Sequence, residues 1–369
     1  MKILAMYLPQ YHRIKENDEW WGDGYTEWNA VRGAKKYFKD HKEPRTPLNN
    51  NYYDLSSEDA KTWKWQSELA NRYNVFGFCI YHYWFRTGEQ LLEKPMEILL
   101  RHPEIKIRYC ICWANETWKR TWYGVEKEIL KEQTYGDEQE WINHFNYLIQ
   151  FFKDERYIKV DNKPMVCIYH TFEIDKLKEM KNAWNELAKE YGFDGIYIVS
   201  GNTGAKIDMR HELMDAYYNY EPGYTYEHTV KFKNKLPIKI KKIAKKIANK
   251  IIKQKRVESI IPAKIIYENN IKSLYIGEKK CYLGTFVDYD DTPRRQYEGM
   301  VYIRDKDAFY KNICKIYCTL KSQDREDDFV FITAWNEWGE GAYLEPDVTN
   351  EYANLEALKT AIDNVEKSI

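Results

Sequence analysis

Charge of one sign is missing from this chain taken whole. Its 57 Lys and Arg balance 57 Asp and Glu, so bulk electrostatics selects no partner. Long apolar runs are missing too. The N-terminal "MKILAMYLPQYHR" carries one short run, ended by Pro9. That is too short for a signal-peptide core or a membrane span, and the expected location is cytoplasmic. Cysteine is sparse and odd in number, at seven. Cys79, Cys110, Cys112, Cys167 and Cys281 fall inside apolar runs, which reads as reduced core thiols in a reducing compartment. The Cys110/Cys112 pair lacks the spacing and partners of a structural zinc site. His82 and His170 show no HxxxH-like spacing. No metal and no cofactor is expected.

Aromatic residues are what the chain has in quantity: 16% of it, with 32 Tyr and 13 Trp. Their flat faces and polar tips suit ligands that are half apolar and half hydroxyl, as a sugar is, although an aromatic-rich core accounts for many of them. Near-continuous apolar runs of strand length fall at 2–8, 75–82, 107–113, 164–170, 195–201, 215–220, 281–287 and 329–335. Runs without alternation are expected of parallel strands buried on both faces. Helical patterns fall between them at about 56–73, 88–101, 137–154, 173–191, 205–212, 304–323 and 350–368. In the first of these, Ser56 or Ser57 is the expected cap, with Trp63, Leu69 and Tyr73 at helical spacing. Eight strand-then-helix units predict a (β/α)8 TIM barrel. An open doubly wound sheet is the alternative. It is weakened because "YLPQYHRIKEND", not a glycine-rich phosphate turn, follows the first strand.

The chain reads as one catalytic domain, 1–369, interrupted by an insertion at about 224–278 before strand seven. Within it, 231–256 holds twelve Lys or Arg and no acid. Taking those twelve from the 57 basic residues leaves 45 against 57 acids, so the rest of the chain is acidic. Leu236, Ile240, Ile243, Ile247 and Ile251 recur every three or four residues, which predicts a basic amphipathic helix. It is either a solvated lid or a surface helix that touches anionic lipid headgroups. Nothing in the chain resembles a nucleic-acid-binding fold, and no nucleic-acid partner is expected.

In such a barrel, function collects at the C-terminal strand ends. There the sequence sets His, Glu, Asp or Asn beside Trp or Tyr: "PQYHRIKENDEWWGDGYTEW", "YHYWF", "CWANETW", His170, "NYEPGY", "DYDDTPRR" and "NEWGEG". The repetition points to a carbohydrate cleft. Splitting a glycosidic bond takes a proton donor and a second carboxylate. Glu337 and Glu340, three residues apart across Trp-Gly, approach like helical i,i+3 neighbours if the chain turns there. Two close carboxylates repel, so one of them is expected to hold its proton near neutral pH. The bland reading is two exposed loop acids.

The stretches "PQYHRIKENDEWWGDGYTEW", "GFCIYHYWF", "CWANETW", "DYDDTPRR" and "NEWGEGAYLEP" together resemble the WbsX-type family over nearly the whole chain except the basic insertion. That family is similar to glycoside hydrolase family 99, the endo-α-mannosidase and endo-α-mannanase group. The resemblance implies a (β/α)8 barrel with a Glu-Trp-x-Glu-Gly element after the last strand. It implies Glu340 as general acid/base and Glu337 as the carboxylate that assists a retaining reaction by deprotonating the sugar's own 2-hydroxyl. That route needs a 2-hydroxyl trans to the leaving group, as in α-mannosides. The branch occurs in polysaccharide and O-antigen gene clusters and has also been labelled glycosyltransferase.

Candidates for stacking on sugar are Trp21, Tyr25, Trp28, Trp84, Trp113 and Trp118, with Trp335 and Trp338 beside the acids. Tyr11, His12, His82, His170, Glu27, Asn115, Glu116, Tyr220, Glu221 and Asn336 are candidates for gripping hydroxyls. Arg294 and Arg295 either meet an acidic sugar or pair with Asp290 and Asp291. Three functions remain in play. The first is a retaining, endo-acting glycoside hydrolase on a bacterial polysaccharide or oligosaccharide, including a lipid-linked one at the inner membrane face. The second is a glycosyltransferase or transglycosylase of surface-polysaccharide assembly, for which "DYDD" at 288–291 is the one acidic cluster resembling a diphosphate–metal site. The third is a sugar-binding module without catalysis, which the Glu337/Glu340 pair argues against.

Overall fold

The computed structural model describes residues 1–120, 128–305 and 307–367. Its centre is a ring of parallel strands: β1 (Lys2–Tyr7), β2 (Val75–Arg86), β3 (Arg108–Trp113), β4 (Lys163–Ile168), β5 (Tyr197–Asn202), β6 (Ala216–Asn219), β7 (Lys279–Tyr282), β8 (Gly284–Phe286) and β9 (Phe329–Thr333). β1 lies between β2 and β9, with Ala5 opposite Phe78 and Leu4 opposite Phe331. From β2 the order runs through β3, β4, β5 and β6 to β7. The seventh barrel position is shared. β7 pairs with β6, β8 pairs with β9, and only Leu283 separates them, so the split strand closes the ring. The (β/α)8 barrel is therefore the fold, and all eight expected strands are present. They are buried along nearly their whole length, which is why the sequence runs are continuous.

Gly284 sits at the closure. A Cβ there would overlap the Asn219 carbonyl oxygen and lie 2.9 Å from Glu221 Cγ. Only a residue without a side chain lets β8 pass the end of β6 so closely.

Helices Lys61–Arg72, Lys94–Arg101, Glu138–Phe152, Leu177–Glu190, Ala308–Lys321 and Ala353–Lys367 surround the ring. The expected helix at 205–212 is only a 3-10 turn, His211–Leu213. The stretch after residue 88 first pairs back on β2, at Glu89–Leu91, and turns helical only at Lys94. The first helix starts at Lys61 rather than after Ser56 or Ser57, because Asp59 Oδ1 accepts both the Ser57 hydroxyl and the Lys61 N–H.

Between β6 and β7 lies the inserted structure: helices Gly223–His228 and Phe232–Ile251, strand Ser259–Pro262 and helix Lys264–Tyr267. Ser259–Pro262 pairs with Met300–Ile303, which pairs with Tyr289–Asp290 just past β8. The insertion thus draws the 288–303 loop into a small sheet of its own. Around that sheet Val230, Ile261, Ala263, Ile266, Tyr267, Phe286 and Tyr302 form a second apolar cluster.

Gly284→Ala is expected to cost more than about 3 kcal/mol, because two backbone segments would have to part. Gly33→Ala, which meets no atom within 4 Å, should leave the melting temperature near wild type; calorimetry of both variants is the check.

Candidate active site

β9 ends and the chain turns at once. Asn336 and Glu337 pair with Ala342 and Tyr343 across a 3-10 turn, Trp338–Glu340. Three buried side chains hold this turn on the barrel. Asn336 accepts the Leu8 N–H (2.8 Å) and donates to the Leu8 carbonyl (3.0 Å), extending the β1–β9 pairing by side chain. The Tyr11 hydroxyl donates to the Asn336 carbonyl and accepts the Trp338 N–H. Glu345 accepts from Trp335 Nε1, Trp338 Nε1, Gln66 Nε2 and the Tyr53 hydroxyl, at 3.0, 2.7, 2.6 and 2.9 Å. Burial raises the Glu345 carboxyl to about 7, against the pull of those four donors.

The turn delivers Glu337 and Glu340 to one guanidinium. Arg294 donates to Glu337 Oε1 (2.6 Å), to Glu340 Oε1 (2.7 Å) and, through Nε, to Glu27 Oε1 (2.7 Å). Glu27 is fully buried, on the short helix Glu27–Gly33 of the first loop. Arg294 comes from the turn Thr292–Arg295 after β8. Burial pushes the Glu337 carboxyl up to about 8. Arg294 opposes that shift, and the neighbouring acids Glu340 and Glu27 reinforce it.

Around this cluster lies a cavity of about 210 Å³. Its walls are Leu8 and Gln10, Tyr81 and Tyr83 of β2, Ala114, Glu116 and Trp118 past β3, Tyr169 past β4, and Tyr220 past β6. Gln10, Glu116 and Trp118 also line an adjoining recess of about 240 Å³ that reaches Trp21. The two rooms form one trough of small-molecule size. Burial raises the hydroxyls of Tyr81, Tyr83, Tyr169 and Tyr220 well above the ordinary tyrosine value, so they stay neutral donors. Glu116 keeps 52% of its side chain open and approaches His170 Nδ1 at 3.5 Å. Its carboxyl is shifted upward, first by its recessed place and then by Glu340 and Glu173.

Of the residues expected to form the site, Glu337, Glu340, Glu116, Tyr220 and Trp118 line the cavity and Trp21 the adjoining recess. Tyr25 is a buried neighbour of Trp21, ring centroids 6.0 Å apart. Asn115 and His170 stand just behind the wall: Asn115 clasps the His170 backbone, and His170 meets Thr203. Others are corrected to structural parts. His82, Trp84 and Trp113 face away from the cleft. His82 meets His144 at 2.9 Å, Trp84 stacks on His144, and Trp113 donates to the Trp84 carbonyl. Side chains alternate along a strand, so their neighbours Tyr81, Tyr83 and Ala114 take the inward places. His12 is buried on the Pro9 carbonyl. Trp28, Trp335 and Trp338 are core. Glu221 is buried against Thr225 N and Oγ1 at the start of the Gly223–His228 helix. Arg295 approaches Asp291 as expected, at 3.4 Å, whereas Arg294 turns to the glutamates.

Gln10, Tyr81, Tyr83 and Tyr169 are lining residues that the sequence reading missed. The alternation Tyr81-x-Tyr83 was the available signal. The cysteines are free thiols, and the sulfurs of Cys79, Cys110 and Cys167, on three adjacent strands, lie within 4.8 Å of one another.

Gly339 ties the sequence motif to this geometry. A Cβ there would overlap Glu27 Oε1 and lie 2.8 Å from Arg294 Nε. Gly339→Ala is expected to push Glu27 and Arg294 off the turn, reducing turnover by at least about 10²-fold while the far-UV circular dichroism spectrum stays that of wild type.

Similarity to known proteins bears on the fold and on the family. The chain is 28% identical over 362 residues to the uncharacterized protein WxcX of Xanthomonas campestris pv. campestris, covering 98% of this chain and 49% of that protein. It therefore spans about half the length of the curated relatives it matches. Among solved structures, the GH99 endo-alpha-mannosidase of Bacteroides thetaiotaomicron superposes with a TM-score of 0.58 at 14% identity, covering 99% of this chain and 98% of that one. A protein described as glycoside hydrolase-like gives 0.59 at 12% identity, over 98% and 93%. These establish the fold, a (β/α)8 barrel. The profile of the family described as glycosyltransferase WbsX matches residues 3–358, and the chain belongs to that family.

Proposed function

We propose that this protein is a retaining, endo-acting glycoside hydrolase, acting on a bacterial polysaccharide or oligosaccharide with an α-mannoside-like linkage. The observation that carries this reading is the pair Glu337 and Glu340, held on one guanidinium at the floor of an aromatic trough. Two carboxylates supply all the proton transfers such a reaction needs. Glu340, the more open of the two, with 22% of its side chain exposed against 5% for Glu337, is the general acid/base at the leaving oxygen. Glu337 is the carboxylate that draws the proton from the sugar 2-hydroxyl.

A base must be able to ionise, and burial works against that at Glu337. Arg294 supplies the counter-charge that brings its deprotonation back within reach of neutral pH. Tyr81, Tyr83, Trp118, Tyr169 and Tyr220 offer ring faces and neutral hydroxyls to sugar units. The second recess beside Trp21 offers room for a further unit, which supports attack inside a chain.

A transferase or transglycosylase is the second reading, favoured by the name of the matched family. The DYDD cluster gives it little support. Asp288 is bonded to Arg304 and Lys42 (2.8 and 3.0 Å), Asp290 to His41 and Thr292 (2.7 and 2.6 Å), and Asp291 to the Met300 N–H (2.5 Å). All three carboxylates are engaged with the protein's own donors.

An NMR time course on α-mannan fragments and bacterial O-polysaccharides tests the reading. New reducing ends should form with the anomeric configuration retained, and Glu340→Gln and Glu337→Gln should each lower the rate about 10²–10⁴-fold. No cleavage, with turnover of an added nucleotide-linked or lipid-linked sugar donor, would give the transferase reading its place.

Arg294→Gln removes the charge that lowers the Glu337 pKa. The limb of the kcat/KM profile on which Glu337 must lose its proton should therefore move to higher pH, and kcat at pH 7 should fall. A limb that stays in place while KM alone rises would mean that Arg294 serves only to bind substrate.

A further inference from the structure

We propose that helix Phe232–Ile251 is a docking surface for an anionic lipid bilayer. The helix is mounted the opposite way from an ordinary surface helix, which buries its apolar stripe. Here the buried positions are polar: Lys235, whose ammonium donates to the Glu227 carbonyl at 2.7 Å, and Asn249, which exchanges hydrogen bonds with the Arg256 backbone. Ile238 is the apolar side chain that the helix sets against the small second core.

Phe232, Leu236, Ile240, Ile243, Ile247 and Ile251 stay outside, 42–83% exposed. At about 100° per residue these six fall in one sector about 100° wide, along about 28 Å of helix. Lys239, Lys246 and Lys250 lie along one border of that sector. The helix carries eight lysines and no acid.

The occupant follows from those two properties together. A second copy of the chain laid stripe to stripe would set eight lysines against eight more with no acid between them. A nucleic acid would satisfy the lysines and leave six large apolar side chains in water. An anionic bilayer takes both, with lysines at the headgroups and the stripe at the acyl boundary. No helix among the described residues is long and apolar enough to cross a membrane, so the contact is peripheral. The surface also belongs to the cleft end of the barrel. It grows from the loop after β6, whose first residue Tyr220 lines the cleft, and it rests on Ser259–Pro262, one sheet with the Tyr289–Asp290 strand that leads to Arg294.

The test is co-sedimentation of the whole chain with phosphatidylcholine vesicles, with and without about one third phosphatidylglycerol. Partition onto the anionic vesicles should exceed that onto neutral ones at least about tenfold and weaken with salt. The paired substitution Ile240→Asp/Ile247→Asp and the triple substitution Lys239→Glu/Lys246→Glu/Lys250→Glu should each lower it about tenfold. All these positions are exposed, so both variants should melt as wild type does. Equal binding by wild type and both variants would overturn the proposal. So would a wild-type dimer in sedimentation velocity that the isoleucine changes dissolve, or binding to duplex DNA that only the lysine changes abolish, if either came without preference for anionic vesicles.

Discussion

The candidate site hangs on one guanidinium. Arg294 joins three segments that share no local sequence: Glu27 from the first loop, its own turn after β8, and the Glu337/Glu340 turn after β9. Three carboxylates around one cation cannot all be ionised cheaply in a buried place. Burial and the neighbouring acids Glu340 and Glu27 push the Glu337 carboxyl up, against Arg294, so that it keeps its proton near neutral pH. An acid–base enzyme needs a group whose proton is easily gained and lost near neutral pH. The same crowding explains why Gly339 stands between the two glutamates: Glu27 and Arg294 pass where its side chain would be.

Buried carboxylates are common here, and their surroundings separate the ones that brace the fold from the one that faces the cavity. Glu345 is raised to about 7, close to Glu337, yet four neutral donors enclose it and it lines neither recess of the trough. Its task is to fix Trp335 and Trp338 so that the 336–343 hairpin leaves β9 in one direction only. Glu221 is likewise raised to about 8, but its two oxygens are taken by Thr225 at the start of a helix. Glu337 differs by having a cation for a partner and the cavity for a neighbour. A shifted pKa by itself would have picked all three.

Much of this was legible in the sequence, and what was missed has a physical pattern. Parallel strands buried on both faces leave continuous apolar runs of strand length, so all eight barrel strands could be found. The same property hid which residues face inward, because a run with no polar alternation carries no phase. His82, Trp84 and Trp113 were therefore expected in the cleft when Tyr81, Tyr83 and Ala114 occupy it. The carboxylate pair was visible because three residues fix its geometry locally. Arg294 was visible only as a cation for an acidic sugar or for Asp290 and Asp291. Its real partners lie 267, 46 and 43 residues away, and no spacing rule reaches that far. The inserted helix was plain from its lysines and isoleucines. That it turns its apolar stripe outward could be learned only from what it packs against.

The family's name and the proposed reaction pull in different directions, and the arrangement of charge weighs between them. A nucleotide-sugar transferase needs counter-charge for a diphosphate, supplied by free cations or by a metal on free carboxylates. At this barrel mouth Arg294, Arg45 and Arg304 are bonded to Glu27, Glu337, Glu340, Glu43 and Asp288. Arg294, the basic residue lining the main cavity among the described residues, is thus held by acids. The large reserve of positive charge lies outside, on the inserted helix, beside an apolar stripe. Under the proposed reading this division is the expected one: a cation inside, held among acids, serves proton transfer on a glycan, and cations outside, beside the stripe, hold the enzyme at the surface where that glycan is presented.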